Sequence, residues 1–354
     1  MSRLLSCALA ALMLACPAIA TAQFRSIGSP ASPVMVGADK GWRVWSERRL
    51  FGPDLWQVVV RAPEGNVFSR PTVAQRAVPF DIDVGIDAGG EVVAAYSRCS
   101  DEPEASGGVN PFASGGLPQY TTGKDCSIRI LDLTTGEERT IRRAGRNDSE
   151  VLPSIAGRRL AFVGTSEGGK GARRATLFVR DLVTGRDTRL FTGPRARGSV
   201  TTAVGPTSVD TDGRTVASAW RARDGRSFRS RVLVQRVSAA KPTVAGSAVD
   251  PPGTAFATVF GPTVVGRYVS FLHSFGHGFC ERRFARRGAR PAYGIQASRR
   301  TAAPVSAALD GDRLVIADVQ ADDRNPTEPG ETGQIVEHSR RDYAARADGD
   351  ERCG

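Results

Sequence analysis

Lysine is nearly missing from this chain. Of its 48 basic residues only Lys40, Lys124, Lys170 and Lys241 are lysines, and histidine occurs just three times. Nucleic-acid-binding surfaces usually draw on both lysine and arginine, so no nucleic-acid partner is expected. The net charge of +11 reads first as the composition of an Arg-, Ala-, Gly- and Val-rich chain. Attraction to anionic polymers is the second reading. Beyond the N-terminal segment no run is apolar enough to span a bilayer, and no stretch has the periodicity of an amphipathic helix. A Gly-x-Ser-x-Gly elbow is missing, as is a phosphate-binding glycine loop followed by Lys and Ser or Thr. Gly168-Gly169-Lys170-Gly171 approaches the latter but sits between strand patterns. With His273, His277 and His338 outside any motif, a nucleophilic hydrolase has no evident base.

The N-terminus reads as an export signal. Arg3 precedes an apolar core, Leu4 to Ala15, which is too short for a spanning helix, and Ala20-Thr21-Ala22 is an A-x-A site. Cleavage is expected before Gln23, with residues 1–22 as signal and 23–354 as one domain. A rival reading takes Met13-Leu14-Ala15-Cys16 as a lipobox and Cys16 as a lipid anchor; Met13 and Pro17 depart from that pattern. Either way the chain is expected outside the cytoplasm. Removing the signal leaves Cys99, Cys126, Cys280 and Cys353, an even number that suggests disulfides. Of the three connectivities, Cys99–Cys126 and Cys280–Cys353 are preferred. The first ties off a Gly/Ser/Pro-rich insert, and the second staples the C-terminus.

With 39 glycines and 21 prolines, the chain has the turn residues of an all-β fold. Arg159 to Gly164 is an apolar strand, followed by a polar loop holding Glu167, Gly168, Gly169, Lys170 and Gly171. Ala175 to Leu182 and Arg186 to Phe191 then form a hairpin closed by Val183-Thr184-Gly185. Asp181-Leu182-Val183-Thr184-Gly185 repeats Asp132-Leu133-Thr134-Thr135-Gly136, with the Asp bonding turn N–H groups and the Gly taking positive φ. Six units follow one another, their first strands starting near Trp42, Glu91, Arg159, Thr215, Tyr268 and Arg313. A period near ~50 residues with several strands in each predicts a six-bladed β-propeller of four-stranded antiparallel blades. The segment from Gln23 to Val36 is free to close the last blade. Trp42, Trp45 and Trp56 read as packing between sheets, with a sugar-stacking platform as the alternative.

Two units carry a family resemblance. Asp212-Gly213-Arg214-Thr215-Val216-Ala217 and Gly157-Arg158-Arg159-Leu160-Ala161-Phe162-Val163 resemble the opening strand of the TolB-like (WD40-like) propeller repeat. Asp181-Leu182-Val183-Thr184-Gly185 and Arg189-Leu190-Phe191-Thr192 resemble its following strands. The resemblance covers about half of the chain after the signal. It implies an exported bacterial binding scaffold and brings no catalytic motif.

Three clusters could carry chemistry. His273, His277 and Cys280 lie close in sequence, but zinc wants three or four ligands and Cys280 is expected in a disulfide. Asp318, Asp322, Asp323, Asn325, Glu328 and Glu331 match no calcium-loop spacing and read as a solvated loop. No cofactor or metal is therefore expected, calcium and zinc being the alternatives. Arg282, Arg283, Arg286, Arg287 and Arg290, with Phe284 and Tyr293, form a basic loop that could meet an anionic glycan. The expected function is a binding or scaffold protein of the cell envelope that contacts a protein or an anionic surface polymer through its face loops. The alternative is a propeller enzyme, lactonase- or lyase-like, with a metal in its channel.

Overall fold

Apolar runs such as Leu160-Ala161-Phe162-Val163, all wholly buried, can only be satisfied when both faces of a sheet are covered. The computed structural model covers them by stacking sheets around an axis. It describes residues 25–28, 35–49, 55–65, 67–69, 73–101, 125–141, 149–168, 172–193, 205–224, 227–250, 257–265, 268–275, 278–285, 293–296, 302–311, 313–321 and 329–339. Among these there are 24 strands and no helix.

Five sheets are simple meanders. The first holds β2 (Val36–Asp39), β3 (Trp42–Arg48), β4 (Trp56–Arg61) and β5 (Val67–Ser69). The second holds β6 (Asp83–Ile86), β7 (Val92–Arg98), β8 (Ser127–Asp132) and β9 (Glu138–Thr140). The third holds β10 (Ser149–Ala156), β11 (Arg159–Gly168), β12 (Ala172–Asp181) and β13 (Asp187–Thr192). The fourth holds β14 (Gly205–Thr211), β15 (Thr215–Asp224), β16 (Ser227–Arg236) and β17 (Thr243–Asp250). The fifth holds β18 (Ala257–Val265), β19 (Tyr268–Phe275), β20 (Gly278–Ala285) and β21 (Tyr293–Gln296). In the sixth, β22 (Ala302–Asp310), β23 (Arg313–Ala321) and β24 (Pro329–Ser339) are completed by β1 (Arg25–Gly28) from the other end of the chain. The first strands β2, β6, β10, β14, β18 and β22 touch one another in that order, and β22 returns to β2. Four-stranded antiparallel sheets arranged in such a ring define a β-propeller.

The strands expected to open each unit prove to be second strands. Each sheet has a further strand inside it, lining the axis. These inner strands are poor in apolar alternation: Asp-Val-Gly-Ile in β6, Gly-Pro-Thr-Ser-Val-Asp-Thr in β14. They pack edge to edge around the axis, where small and polar residues are mixed with apolar ones. The loop expected at Glu167 and Gly168 is also shorter than the sequence suggested, because β11 and β12 stay paired out to Gly168 opposite Ala172. Trp45 and Trp56 are buried in the core, and Trp42 packs against it. The Asp–Gly turns form as expected. The Asp132 carboxylate accepts the N–H groups of Thr134 and Thr135 at 2.8 Å, and Asp181 does the same for Val183 and Thr184 at 3.1 Å. Gly136 and Gly185 take φ of 79° and 69°.

Neighbouring sheets are latched in one sense around the ring. A short side chain of one sheet accepts a backbone N–H of the next. Ser46 Oγ accepts Phe80 N–H at 2.9 Å, just ahead of β6, and Asp81 accepts Leu152 N–H at 2.6 Å. Ser154 Oγ accepts Thr211 N–H at 3.0 Å and Ser230 Oγ accepts Val259 N–H at 2.9 Å. At the closure, Ser306 Oγ accepts Val36 N–H at 2.8 Å. Bulges in β10, β14, β18 and β22 release donors from the ladder. Pro153, Pro206, Pro262 and Pro304 sit in or beside those bulges, where a missing N–H costs no ladder bond. Leu152 takes φ of 53° there, a left-handed conformation that a branched side chain rarely adopts. Its N–H is thereby turned out of the ladder to Asp81.

Where β1 joins β24 the ring is also clamped by charge. Arg43 on β3 is buried and pairs with Asp310 at 2.7 Å and Glu337 at 2.8 Å, both in the closing sheet. Burial pushes the Glu337 carboxyl up, but the bonds from Arg43 and Arg313 outweigh it and hold the group below its usual range. Replacing Arg43 with Met leaves Asp310 without its guanidinium partner and Glu337 with Arg313 alone, and is expected to cost about 3 kcal/mol in denaturant melts. A carboxylate held low stabilises the fold above its unfolded pKa and loses that contribution as pH falls through the folded value. The deficit of the Arg43→Met variant is therefore expected to shrink in acid; a deficit that stays constant to low pH would show that the charge pair is not its cause.

Glycine sets how closely the inner strands approach. A Cβ at Gly85 would lie 2.0 Å from the Ile155 carbonyl oxygen of the next sheet. Gly85→Ala is expected to lose about 3 kcal/mol or fail to fold. Gly90→Ala, at φ 91° but with open space around the added carbon, is expected to lose only about 1 kcal/mol. Equal melting temperatures for the two variants would contradict this packing.

Candidate functional site: an acidic cavity on the axis

The inner strands enclose a cavity of about 480 Å³ to which all six sheets contribute. Its wall has two characters. Val84, Leu152, Ile155, Phe260 and Leu309 make it apolar, and Asp39, Asp81, Asp83, Asp210 and Asp212 make it acidic. Among the described residues that line it there is no Lys, Arg or His. In a chain of net charge +11, the axis therefore has the opposite sign to the whole.

These carboxylates do different work. Asp81 is structural: buried, it accepts the N–H of Ser97 at 2.7 Å, the Ser97 hydroxyl at 2.7 Å and Leu152 N–H. Asp212 caps the β14–β15 turn by accepting Arg214 N–H at 2.8 Å and Thr215 N–H at 2.6 Å. Asp39 is raised by burial and by the neighbouring Asp310 charge. Asp83 and Asp210 form the centre. Asp83 on β6 accepts Ile155 N–H of the third sheet at 3.3 Å. Asp210 on β14 accepts Val264 N–H of the fifth sheet. Between them stands Ser154 on β10, whose hydroxyl lies 3.1 Å from Asp210 Oδ1 and within reach of Asp83.

A serine hydroxyl has one hydrogen, so Ser154 can serve only one of the two carboxylates. Burial pushes Asp83 well above the ordinary carboxylate range, and the charge of Asp210 adds to the rise. Burial likewise pushes Asp210 up to about 7, against the bonds from Val264, Ser154 and Thr211. Both acids are thus held above the ordinary carboxylate range, chiefly by burial.

The residues singled out in the sequence lie elsewhere. Arg282 and Arg283 fall on β20, opposite Phe271 and Ser270 of β19, rather than in a loop. The apolar positions of β19 extend into a second hairpin strand that the run of arginines obscured. Arg286, Arg287 and Arg290 lie outside the described residues. The Cys99–Cys126 disulfide is formed, bracketing the insert as expected. Cys280 stands opposite His273 in the β19–β20 register, whereas Cys353 and His277 lie outside the described residues. Of the acidic loop, Asp318 and Glu331 fall on β23 and β24, and Asp322, Asp323, Asn325 and Glu328 lie outside. No group of three or more metal-ligating side chains occurs among the described residues, nor does a helix long and apolar enough to cross a membrane.

Sequence reasoning missed Asp83 and Asp210 because it missed the strands that carry them. One signal was there. Leu152-Pro153-Ser154, Gly205-Pro206-Thr207 and Gly261-Pro262-Thr263 recur shortly before a Gly turn, and Ala303-Pro304-Val305-Ser306 varies the theme.

No family model matches the chain, and no curated protein matches it. Solved structures do. TolB from Acinetobacter baumannii is 12% identical, with a TM-score of 0.46 over 86% of this chain and 65% of that one. The β-propeller domain of the Trilobed protease from Pyrococcus furiosus is 9% identical, with a TM-score of 0.43 over 86% and 97%. The Hadza microbial sialidase Hz136 is 8% identical, with a TM-score of 0.50 over 88% and 66%. This chain thus spans 65% of the length of that TolB structure. At such identities the likeness is one of fold alone, and the chain is a β-propeller.

The acid pair has a measurable signature. A carboxyl whose folded pKa is raised keeps a proton that the unfolded chain has already released. Stability therefore falls as pH rises from about 4 towards 7 and levels off above. Asp210→Asn is expected to flatten this slope in thermal melts across that window. A variant whose pH profile runs parallel to the parent would mean that Asp210 titrates normally.

Proposed function

We propose that this chain is an exported six-bladed propeller, TolB-like in its repeat, that acts as a binding or scaffold module at the cell envelope. The observation that carries the reading is the closed ring itself. It is a rigid frame with a cavity on its axis, and its loops gather at its two ends, where binding residues concentrate on such scaffolds. The Cys99–Cys126 bond suits an oxidising compartment, in keeping with the export signal read in residues 1–22. Its partner is an envelope protein or an anionic surface polymer, met by the face loops and first by the arginines that follow β20, Arg286, Arg287 and Arg290.

The test uses the full chain without its signal. Captured from an envelope extract, it is expected to retain a specific partner, and its binding to an anionic wall polymer is expected to weaken with salt. Reversing charge at Arg286 and Arg287 together is expected to weaken that polymer binding by about tenfold. Binding that ignores both salt and the charge reversal would remove the polymer from the proposal. Failure to retain any envelope component would remove the envelope role.

A further inference from the structure

We infer that the Cys99–Cys126 disulfide is a redox-sensitive lock on the junction between the second and third sheets: a dithiol that opens it loosens the start of β10 while the rest of the ring stays closed. The lock belongs to the frame and works whatever the ring binds.

The bond stands where both strands of one hairpin hand over to the next sheet. Cys99 follows the last residue of β7, and Cys126 precedes the first residue of β8. From the β8 side the contact with β10 is direct. The Cys126 N–H donates to Ser149 Oγ at 3.2 Å, and the Cys126 carbonyl accepts Glu150 N–H at 2.9 Å. From the β7 side the path takes one more step. Ser97, two residues before Cys99, donates its N–H and its hydroxyl to Asp81, and Asp81 accepts Leu152 N–H. Three residues at the start of β10 are thus held by the two strand ends that the disulfide ties together. β10 passes this order outward. Glu150 is wholly buried, and its carboxylate meets Arg180 of β12 at 2.7 and 2.9 Å. Arg180 in turn meets Asp187 of β13 at 2.8 and 2.9 Å. A buried carboxylate and a buried N–H both need their partners, so slack at Cys126 is felt first at Glu150.

The bond is reached from one side. Cys126 is wholly buried in the core, whereas Cys99 packs against it and is half-buried. Thiol–disulfide exchange proceeds by attack of a thiolate on one sulfur while the other leaves. Here one thiolate of the dithiol attacks Cys99 Sγ, the S–S bond breaks, and Cys126 leaves as a thiolate that takes up a proton. The second thiolate of the dithiol then displaces Cys99, which is protonated in the same way. The dithiol becomes a disulfide, and its two electrons and two protons end on Cys99 and Cys126. Cys126 lies one residue beyond the last ladder pair of its hairpin, Arg98 with Ser127. With the bond open nothing in the ladder fixes its place, and the constraint of a loop closed across 27 positions is lifted. Other junctions of the ring are latched by Ser46, Ser154, Ser230 and Ser306, none of which depends on a cysteine, so the loosening stays local.

The test uses the chain without its signal and with Cys280→Ser and Cys353→Ser, which leaves Cys99 and Cys126 as its cysteines; the same chain with all four cysteines is run beside it. Hydrogen exchange is followed by mass spectrometry before and after dithiothreitol, without denaturant. Opening the bond is expected to speed exchange at Cys126, Glu150 and Leu152 by about tenfold, and to leave β15 and β16 of the fourth sheet within about twofold of their oxidised rates. Reoxidation is expected to restore the slow rates. A Cys99→Ser/Cys126→Ser variant is expected to exchange like the reduced chain whether or not dithiothreitol is present. With glutathione, a monothiol, the trapped adduct is expected on Cys99. A bond that resists dithiothreitol in native buffer, unchanged exchange after it opens, or an adduct on Cys126 would each overturn the inference. So would exchange raised equally in every sheet, or a double-serine variant that fails to fold, since the bond would then hold the whole ring rather than one junction.

Discussion

The ring depends on a backbone N–H of one sheet reaching a short polar side chain of the sheet before it. Ser46, Asp81, Ser154, Ser230 and Ser306 all accept in this way. Apolar stacking alone would let the sheets slide over one another, since hydrophobic burial has no direction. A buried N–H must find an acceptor, and only one angular placement of the next sheet supplies it. The bulges and the prolines within them belong to the same device, because they free donors from the ladder without leaving them orphaned.

Closure repeats this logic with charge. The last sheet is built from both ends of the described chain, β1 beside β24, and its junction with the first sheet carries Ser306 and Arg43 together. A ring shut by a strand from the opposite terminus cannot open without unpairing that strand and stranding two carboxylates. A buried arginine with two carboxylate partners therefore sits where the ring is closed by a strand from the opposite end of the chain.

The inner strands answer two demands that conflict. They must be thin enough to crowd around an axis, which selects Gly37 and Gly85 against the next strand. They must also offer acceptors to their neighbours, which selects Ser, Thr and Asp. Placing Asp on the axis takes carboxyls out of water, and the raised Asp83 and Asp210 follow chiefly from that burial, with neighbouring carboxylates adding to it. The acidity of the cavity arises from the means by which the ring is held together, so assembly and site chemistry share residues such as Ser154.

Strand type, turn chemistry and repeat length were determined by the sequence alone. They are local: buried apolar runs such as Leu160 to Val163, the Asp-to-Gly turns after β8 and β12, and one unit in about fifty residues. The Cys99–Cys126 pairing was legible for the same reason, since it brackets one insert. The inner strands were not legible, because their side chains answer to the neighbouring sheet and carry no period of their own. Nor was the Asp83–Ser154–Asp210 contact, which joins residues of three sheets separated by 71 and 56 positions in the chain. Only closure of the ring brings these groups within a hydrogen bond of Ser154, and only burial on its axis raises both carboxyls above the ordinary range.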